Sequence, residues 1–401
     1  MAESRVGAAA RLRQWLIGRI RRSRLLPVGM PDKRTDEDRL GKPFTQSVLV
    51  YFPNGADALY QLRPWFAALK ALDAARGVVA VFKDSRTAAI VRAESGLDCV
   101  TLARYGQLDE ILSVSDVKLA LYVNHDPINF ECLRFTSLVH VYLGHGDSDK
   151  GVSVSNQVKA YDLCFLAGQA ALDRTASAVM LYDAPSRSVL IGQPQLDAPA
   201  PMPRPDPSRR TVLYAPTWEA SQPSVSYGSL LTHGAAIMDA LTDSYRVVYR
   251  PHPLNGVIDP AYGEADAAMR SRADRVDGQD VPLEQSFADA DLLVTDVSAV
   301  ILNWLPGGKP VLVCRPRVPV PPSRLMDTLP VIEEGADVAA LVAEQLSTDP
   351  SAAARRDLVE HYLGDTTPGA ATERFLQACT DAIDLRDRAW AEQRRLGATG
   401  P

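Results

Sequence analysis

Residues 48–82 read VLVYF-PNGADALYQLRPWFAALKALDAARG-VVAVF, and this stretch decides the fold. Two runs of five residues, Val48–Phe52 and Val78–Phe82, are apolar throughout, as expected of strands that are buried on both faces. Between them, Leu59–Ala75 has the apolar spacing of a helix. A strand, a helix and a second fully buried strand predict parallel strands in an α/β sheet.

The same alternation continues along the chain in two blocks. The first block adds the candidate strands Val117–Val123, Leu138–Leu143, Asp162–Leu166 and Val189–Ile191. The second block adds Val212–Ala215, Tyr245–Tyr249, Leu292–Thr295 and Pro310–Cys314. Helices are predicted at Arg86–Ser95, Gly228–Thr242, Ser298–Leu305, Asp337–Leu346 and Ala352–Leu396.

A proline-rich segment separates the two blocks. Residues 198–210 contain five prolines and predict a domain boundary. We therefore expect two Rossmann-like lobes of similar size with a cleft between their strand ends. The predicted divisions are a basic segment and linker at 1–43, a first lobe at 44–197, a second lobe at 198–385 and a tail at 386–401.

The composition is that of an ordinary globular protein. Of 401 residues, 46% are hydrophobic and 23% are charged, which excludes a disordered chain. The formal net charge of -6 argues against a nucleic-acid partner. No apolar run approaches the ~20 residues of a membrane span, and no secretory signal is evident, so a cytoplasmic protein is expected. Arginine outnumbers lysine by 35 to 8, as in GC-rich bacterial genomes.

Residues 1–24 form a basic segment with seven arginines and one glutamate. On a helix, Trp15, Leu16 and Ile20 would share one side, which Arg19 interrupts. Two interpretations stay open. The segment is either a peripheral anchor on anionic lipid or a solvated tail.

The first motif with chemical potential is YLGHGDSDKG, at residues 142–151. Gly144 and Gly146 allow a sharp turn and a close approach to a ligand. His145 lies between them at the end of an apolar strand, where parallel α/β folds bind their ligands. A functional role for His145 is therefore favoured over an incidental turn residue, and Lys150 is a further candidate in the cleft.

The second motif is YRPHP, at residues 249–253. Two prolines stiffen the backbone around Arg250 and His252. A rigidly presented arginine and histidine suit a phosphate or pyrophosphate. A plain exit from a strand into a loop is the alternative.

The third motif is DLLVTDVSAV, at residues 291–300. A buried strand ends at Thr295 and Asp296, and a helix is predicted to begin near Ser298. The free backbone N–H groups at a helix start can bind an anion, although an ordinary helix cap is compatible with the same residues.

A fourth stretch, LYAPTW at residues 213–218, puts Thr217 and Trp218 at the expected cleft, but a core-packing role for Trp218 is equally open. The chain has no Walker A, G-x-G-x-x-G, H-E-x-x-H or G-x-S-x-G motif. Five dispersed cysteines form no C-x-x-C pair, and the acidic pair Asp289/Asp291 fits a solvated turn. We expect neither a metal nor a cofactor.

The order of these motifs, closed by Lys309-Pro310, resembles the CDP-glycerol glycerophosphotransferase family of teichoic-acid and capsule-polymer enzymes. The motifs cover residues 135–315, and the two-lobed layout extends the resemblance to 44–385. The resemblance implies a GT-B architecture, a CDP-polyol donor and no catalytic metal. It also implies the site residues, with His145 as the base, His252 as a second essential histidine, and Thr295, Asp296 and Ser298 at the phosphates of the donor.

Several positions depart from the family pattern. Val297 and Ala299 replace a tyrosine and a serine of the family's Thr-Asp-Tyr-Ser-Ser, and Asn303 stands where an aspartate is common. Glu219 follows the tryptophan in place of a basic residue, and Gln195 replaces an arginine. Both histidines are retained.

The sequence therefore predicts a transferase that moves glycerol- or ribitol-phosphate from a CDP-activated donor to a hydroxyl of a cell-envelope glycopolymer or lipid-linked acceptor and releases CMP. The resemblance implies a peripheral position at the inner face of the cell membrane. One alternative is a nucleotide-sugar glycosyltransferase or epimerase of the same fold. The other is a degenerate, non-catalytic family member that binds a nucleotide.

Overall fold

The computed structural model describes residues 39, 41–150, 154–197, 209–219 and 226–396. The basic segment at 1–24 and most of the proline-rich segment at 198–210 lie outside these residues. Within the described chain, thirteen strands form two sheets, and every strand pairing is parallel. The predicted α/β class with two parallel sheets is confirmed.

The first sheet has seven strands, which run in the spatial order 3-2-1-4-5-6-7. These strands are β1 (Val48–Phe52), β2 (Val78–Phe82), β3 (Asp98–Thr101), β4 (Leu119–Tyr122), β5 (Val139–Tyr142), β6 (Leu163–Leu166) and β7 (Ser188–Leu190). Strand β1 lies at the centre, where Val50 is aligned with Ala80 of β2 and Leu121 of β4. The apolar runs of β1 and β2 are buried at every position, as predicted.

The second sheet repeats this arrangement with six strands. They are β8 (Thr211–Ala215), β9 (Arg246–Tyr249), β10 (Arg275–Val276), β11 (Leu292–Thr295), β12 (Val311–Cys314) and β13 (Val331–Ile332). Their spatial order is β10-β9-β8-β11-β12-β13. In both sheets the chain order reverses beside the first strand, between β1 and β4 and between β8 and β11. Doubly wound sheets bind ligands at this point, outside the carboxyl ends of the strands.

Helices connect the strands and continue beyond the second sheet. They are α1 (Phe66–Arg76), α2 (Ser85–Ser95), α3 (Tyr105–Leu112), α4 (Phe130–Leu133), α5 (Gln169–Ala178), α6 (Ala184–Arg187), α7 (Gly234–Leu241), α8 (Pro260–Arg272), α9 (Leu283–Asp289), α10 (Ala299–Trp304), α11 (Arg324–Thr328), α12 (Val338–Ser347), α13 (Ala352–Leu363) and α14 (Ala370–Arg395). No helix in the described ranges is long and apolar enough to cross a membrane.

Three predicted helices are shorter or divided. The helix expected at Leu59–Ala75 begins only at Phe66. Two short 3-10 turns precede it, and Pro64 in the second turn lacks the N–H that an α-helix would need there. The helix expected at Ala352–Leu396 is two helices, α13 and α14. Gly364 ends the first of them and Gly369 precedes the second, and both have a positive φ. The helix expected from Gly228 starts six residues later, at α7.

Helix α14 returns to the first sheet although it follows the second sheet in the chain. Phe375 lies in the core beneath the first sheet, 5.6 Å from Trp65 and 6.4 Å from Phe165 between ring centroids. Cys379 and Ile383 are buried in the same core. The C-terminal helices therefore connect the two sheets through apolar packing as well as through the chain.

Candidate functional site

The loop after β5 is held in a sharp turn. Gly144 has a φ of 66°, a left-handed conformation that other residues rarely adopt. The indole Nε1 of Trp65 donates a hydrogen bond of 2.8 Å to the Gly144 carbonyl, and this contact is buried. The turn places His145 just after the end of β5, as the sequence predicts.

His145 has a defined tautomer. Its Nδ1 lies 3.2 Å from the Val123 carbonyl, which can only accept, so Nδ1 carries the proton and Nε2 is free to accept one. The ring of Tyr60 meets the imidazole edge to face, with centroids 6.0 Å apart. Partial removal from water lowers the pKa of His145, although the hydrogen bond to Val123 acts in the opposite sense. The neutral imidazole is therefore favoured, with Nε2 as its basic atom.

A second histidine, His125, lies near His145 and was not predicted. It follows β4 and stacks on Tyr142 with ring centroids 4.0 Å apart. Burial and the positive charge of a protonated His145 lower the pKa of His125 to about 4. Its position two residues beyond the apolar run Val117–Val123 is the signal that could have identified it.

The far end of the same loop reaches the second sheet. Lys150 Nζ donates a hydrogen bond of 3.0 Å to Thr217 Oγ1 and lies 5.9 Å from the ring centroid of Tyr227. Burial lowers the pKa of Lys150, and the carboxylate of Asp296 partly opposes this effect. Lys150 is thus a partly desolvated cation beside residues that follow β8 and β11.

Asp296, at the end of β11, organises the neighbouring loops. One carboxylate oxygen accepts hydrogen bonds from the main-chain N–H groups of Thr217, at 2.7 Å, and Ser229, at 3.1 Å. Complete burial raises the pKa of Asp296 to about 6, while these hydrogen bonds and the charge of Lys150 act to lower it. The loops after β8 and β11 therefore meet at the chain reversal of the second sheet.

The two hydroxyls of this motif are placed differently. Thr295 Oγ1 donates to the Ala215 carbonyl at 2.6 Å, so its hydroxyl is already used within the sheet. Ser298 precedes α10, and its buried Oγ has no hydrogen-bond partner among the described residues. The His145 loop lies beside this helix, since a Cβ built on Gly146 would be 3.6 Å from the Cβ of Ala299.

His252 lies against Trp218, with nearly parallel rings whose centroids are 5.9 Å apart. The Leu254 N–H donates to its Nδ1 at 3.2 Å, so the proton of neutral His252 is on Nε2. Burial lowers the pKa of His252 to about 4. Lys150 adds to this effect and Glu219 opposes it. His252 is therefore neutral near pH 7 and presents Nε2–H as a donor.

Arg250 is directed toward a different loop. Its Nη1 donates to the Val281 carbonyl and to Ser286 Oγ, both at 2.9 Å. Burial lowers the pKa of Arg250, and the carboxylate of Asp277 opposes this effect. Arg250 thus braces the segment after β10. The site therefore contains five of the predicted or neighbouring residues: Lys150, Thr217, Trp218, His252 and Asp296. The guanidinium of Arg250 does not point among them but holds the adjacent segment at Val281 and Ser286.

That segment borders a cavity next to His252. The cavity has a volume of about 440 Å³ and lies between residues 251–255 and residues 278–280, with Asp266 and Arg270 behind them. Pockets of this size accommodate small ligands and nucleosides. Within the described ranges, no group of three or more His, Cys, Asp or Glu side chains is placed to hold a metal ion.

A family model described as CDP-Glycerol:Poly(glycerophosphate) glycerophosphotransferase matches residues 196–318. The matched segment contains β8 to β12 and most of the site around His252. The resemblance to this family is confirmed. No curated protein matches the chain.

Solved structures support the fold over most of the chain. The wall teichoic acid polymerase TagF, in a variant soaked with CDPG, matches 85% of this chain and 89% of its own at 12% identity and a TM-score of 0.54. A glycosyltransferase from Rickettsia africae matches 85% and 99% at 11% identity, with a TM-score of 0.56. Anabaena HepE in complex with UDP and glucose matches 84% and 100% at 12% identity, with a TM-score of 0.53. These likenesses establish the fold, and the family model supports a transferase.

Proposed function

We propose that the protein transfers glycerol- or ribitol-phosphate from a CDP-activated donor to a hydroxyl of a cell-envelope glycopolymer or lipid-linked acceptor, with release of CMP. The observation that carries this proposal is the hydrogen bond from Lys150 to Thr217, near the imidazole of His252, whose pKa the charge of Lys150 lowers. The site therefore combines a partly desolvated cation with a neutral histidine, whose Nε2–H can donate a hydrogen bond. Burial disfavours the charged form of Lys150. A diphosphate bound beside Lys150 would stabilise that positive charge and would itself be held by it.

In the proposed reaction, the acceptor hydroxyl gives its proton to Nε2 of His145. Its oxygen attacks the β-phosphorus of the donor, and the bond from that phosphorus to the bridging oxygen breaks. The bridging oxygen and its electron pair leave with CMP. Lys150, and His252 through Nε2–H, stabilise the charge that develops on the phosphates, as positioning and electrostatics do in phosphoryl transfer generally.

The remaining predicted residues receive supporting roles in this proposal. Asp296 holds the loops around Thr217 and Ser229, and Thr295 fixes the end of β11 against Ala215. Ser298 contributes its unpartnered hydroxyl once the donor is bound. The cavity beside His252, whose wall Arg250 braces, is proposed to take the cytidine.

We also propose that the two sheets are the lobes of a GT-B enzyme. The first lobe, at residues 44–197, would bind the acceptor, and the second would bind the donor. The sequence-based bounds of the second lobe, 198–385, include the first part of α14, which packs in the core of the first sheet. The acceptor would be reached at the inner face of the cell membrane through the basic segment at 1–24. Basic residues near an anionic surface contribute roughly 1 kcal/mol each, an attraction that salt screens.

Calorimetric titration with CDP-glycerol, CDP-ribitol and UDP-glucose tests the donor site. We expect a CDP-polyol to bind, and we expect Lys150→Met to weaken that binding at least tenfold. Lys159→Met removes an exposed lysine and is the matched control. Exclusive binding of UDP-glucose would instead favour a nucleotide-sugar glycosyltransferase.

Sedimentation with anionic vesicles tests the membrane proposal. The full chain should pellet at low salt and be released at high salt, and deletion of residues 1–24 should abolish pelleting while turnover is retained. Equal pelleting of both forms would identify the segment as a solvated tail.

A further inference from the structure

The side chains of the loop that carries His252 contribute little packing, although its main chain lies close to α8 where Gly256 meets Gly263. The loop spans residues 250–259, between β9 and α8. Its apolar side chains point outward: Leu254 is 40% exposed, Val257 is 66% exposed and Ile258 is 54% exposed. Since these side chains bury little surface against the molecule, the conformation of the loop must depend on polar contacts.

Glu219 supplies three of those contacts, and a further one runs from Asn255 to Asp266 of α8. The Glu219 carboxylate accepts hydrogen bonds from three main-chain N–H groups of the loop, those of Gly256 at 3.3 Å, Ile258 at 3.0 Å and Asp259 at 3.4 Å. Glu219 is only 5% exposed. A buried carboxylate is expensive unless its oxygens are satisfied, and these three N–H groups satisfy them in the folded loop.

The neighbouring residue holds the other end of the same loop. Trp218 lies against the imidazole of His252, while Glu219 binds the main chain four to seven residues further on. The segment that carries both is tied to the sheet, because the N–H of Thr217 donates to Asp296. Two adjacent side chains therefore fix both ends of the His252 loop relative to Lys150 and the end of β11.

We propose that Glu219 is a positioning residue for His252, which it orients by binding the main chain of the loop from Gly256 to Asp259. This inference rests on the proposed function for its catalytic consequence but not for its structural one. Because the carboxylate oxygens face main-chain N–H groups, Glu219 acts through His252 and does not touch the substrate.

Electrostatics agree with this assignment. Burial acts to raise the pKa of Glu219, but the main-chain N–H groups outweigh it and hold that pKa below its ordinary value. Two charged groups act on His252, and they do so in opposite directions: Lys150 lowers its pKa and Glu219 raises it. Removal of the Glu219 charge therefore favours the neutral imidazole of His252 further. The expected effect of the substitution is on the orientation of that imidazole and not on its protonation.

Three variants of the full chain test the proposal. Glu219→Ala removes the acceptor oxygens, and Glu219→Gln keeps one oxygen and replaces the other with a donor. Glu264→Gln removes an exposed carboxylate on the nearby α8 and is the matched control. Melting temperatures establish that each variant is folded.

Hydrogen exchange and ¹⁵N NMR of the histidines provide readouts that need no substrate. In Glu219→Ala we expect the amides of Gly256, Ile258 and Asp259 to exchange at least about tenfold faster. We also expect His252 to change from one tautomer to a mixture, since the Leu254 N–H no longer faces Nδ1. Glu219→Gln should be intermediate and Glu264→Gln unchanged.

Kinetics provide the third readout. With CDP-glycerol as donor, kcat for CMP release should fall about 10²-fold in Glu219→Ala, the cost of a misplaced catalytic group. Faster exchange with an unchanged His252 tautomer and unchanged kcat would overturn the proposal, as would unchanged exchange. If the unaltered protein turns over no CDP-polyol, the proposed function fails, and the exchange and NMR results still decide the role of Glu219.

Discussion

At the scale of single residues, the main chain holds His145 and His252 in opposite tautomers. The Val123 carbonyl keeps the proton of His145 on Nδ1, which leaves Nε2 as a base. The Leu254 N–H keeps the proton of His252 on Nε2, which makes that atom a donor. Both imidazoles are neutral before the reaction. His145 can therefore accept a proton at Nε2, while His252 can stabilise negative charge by donating its Nε2–H.

Replacement of His145 should separate catalysis from donor binding. We expect His145→Ala to lower kcat by at least about 10²-fold, the lower end for loss of a general base. Donor affinity should change little, because the proposed phosphate contacts come from Lys150 and His252. Steady-state kinetics and calorimetry measure the two quantities. Near-normal turnover under saturating substrates would remove His145 from the mechanism.

The pH dependence of the reaction should reflect the lowered pKa of His145. A base whose pKa is lowered stays unprotonated at lower pH, so kcat should be retained below the ordinary histidine pKa of about 6.5 and lost as the pH falls further. The pH profile of kcat measures this directly. An acidic limb centred above that value would contradict the assignment of His145 as a base with a lowered pKa.

At the scale of elements, strand ends and short loops position the site. The sequence predicted ten strands because their apolar runs are continuous, and it missed β3, β10 and β13. All three lie at sheet edges, and β10 and β13 have only two residues each. It predicted that His145 and His252 follow strands, and each lies three residues beyond a strand end, after β5 and β9. The use of Thr295 within the sheet, the cavity beside His252 and the proximity of His125 to His145 depend on contacts between distant segments, which one sequence does not encode locally.

The turn before His145 provides an element-scale prediction with a matched control. We expect Gly144→Ala to cost about 1–2 kcal/mol, because φ at this position is left-handed, and to displace His145 and lower kcat. Gly146→Ala adds the same atom in ordinary contact with Ala299 and should be tolerated. Denaturant unfolding and kinetics of both variants test the difference. Equal behaviour would show that the turn does not depend on its left-handed glycine.

At the scale of the whole molecule, Asp149 connects the His145 loop to distant elements. Its carboxylate accepts hydrogen bonds from Arg174 at 2.6 Å, from Tyr362 of α13 at 2.5 Å, and from Ser323. Arg174 also pairs with Asp147. A buried centre four residues from His145 thus joins the first sheet to segments that follow β12, in agreement with the apolar packing of α14.

Loss of this centre should destabilise the whole fold. Asp149→Ala leaves the largely buried Arg174 without one of its partners, and breaking such a pair costs about 3–5 kcal/mol. Asp173→Ala, at an exposed position on α5, should cost no more than about 1 kcal/mol. Denaturant unfolding measures both free energies. An equal, small loss in the two variants would show that Asp149 does not join the two parts of the molecule.

Nucleotide release tests the central claim, polyol-phosphate transfer from a CDP-activated donor, most directly. The purified full chain is incubated with a soluble analogue of the lipid-linked acceptor and, in turn, with CDP-glycerol, CDP-ribitol, and CDP-, UDP- and CMP-sugars. The free nucleotides are quantified, with His145→Ala as the inactive control. The proposed function predicts CMP release from a CDP-polyol, greatly reduced in the variant, and no comparable release from the nucleotide sugars. Release from a UDP- or CMP-sugar alone, or from no donor at all, would contradict it.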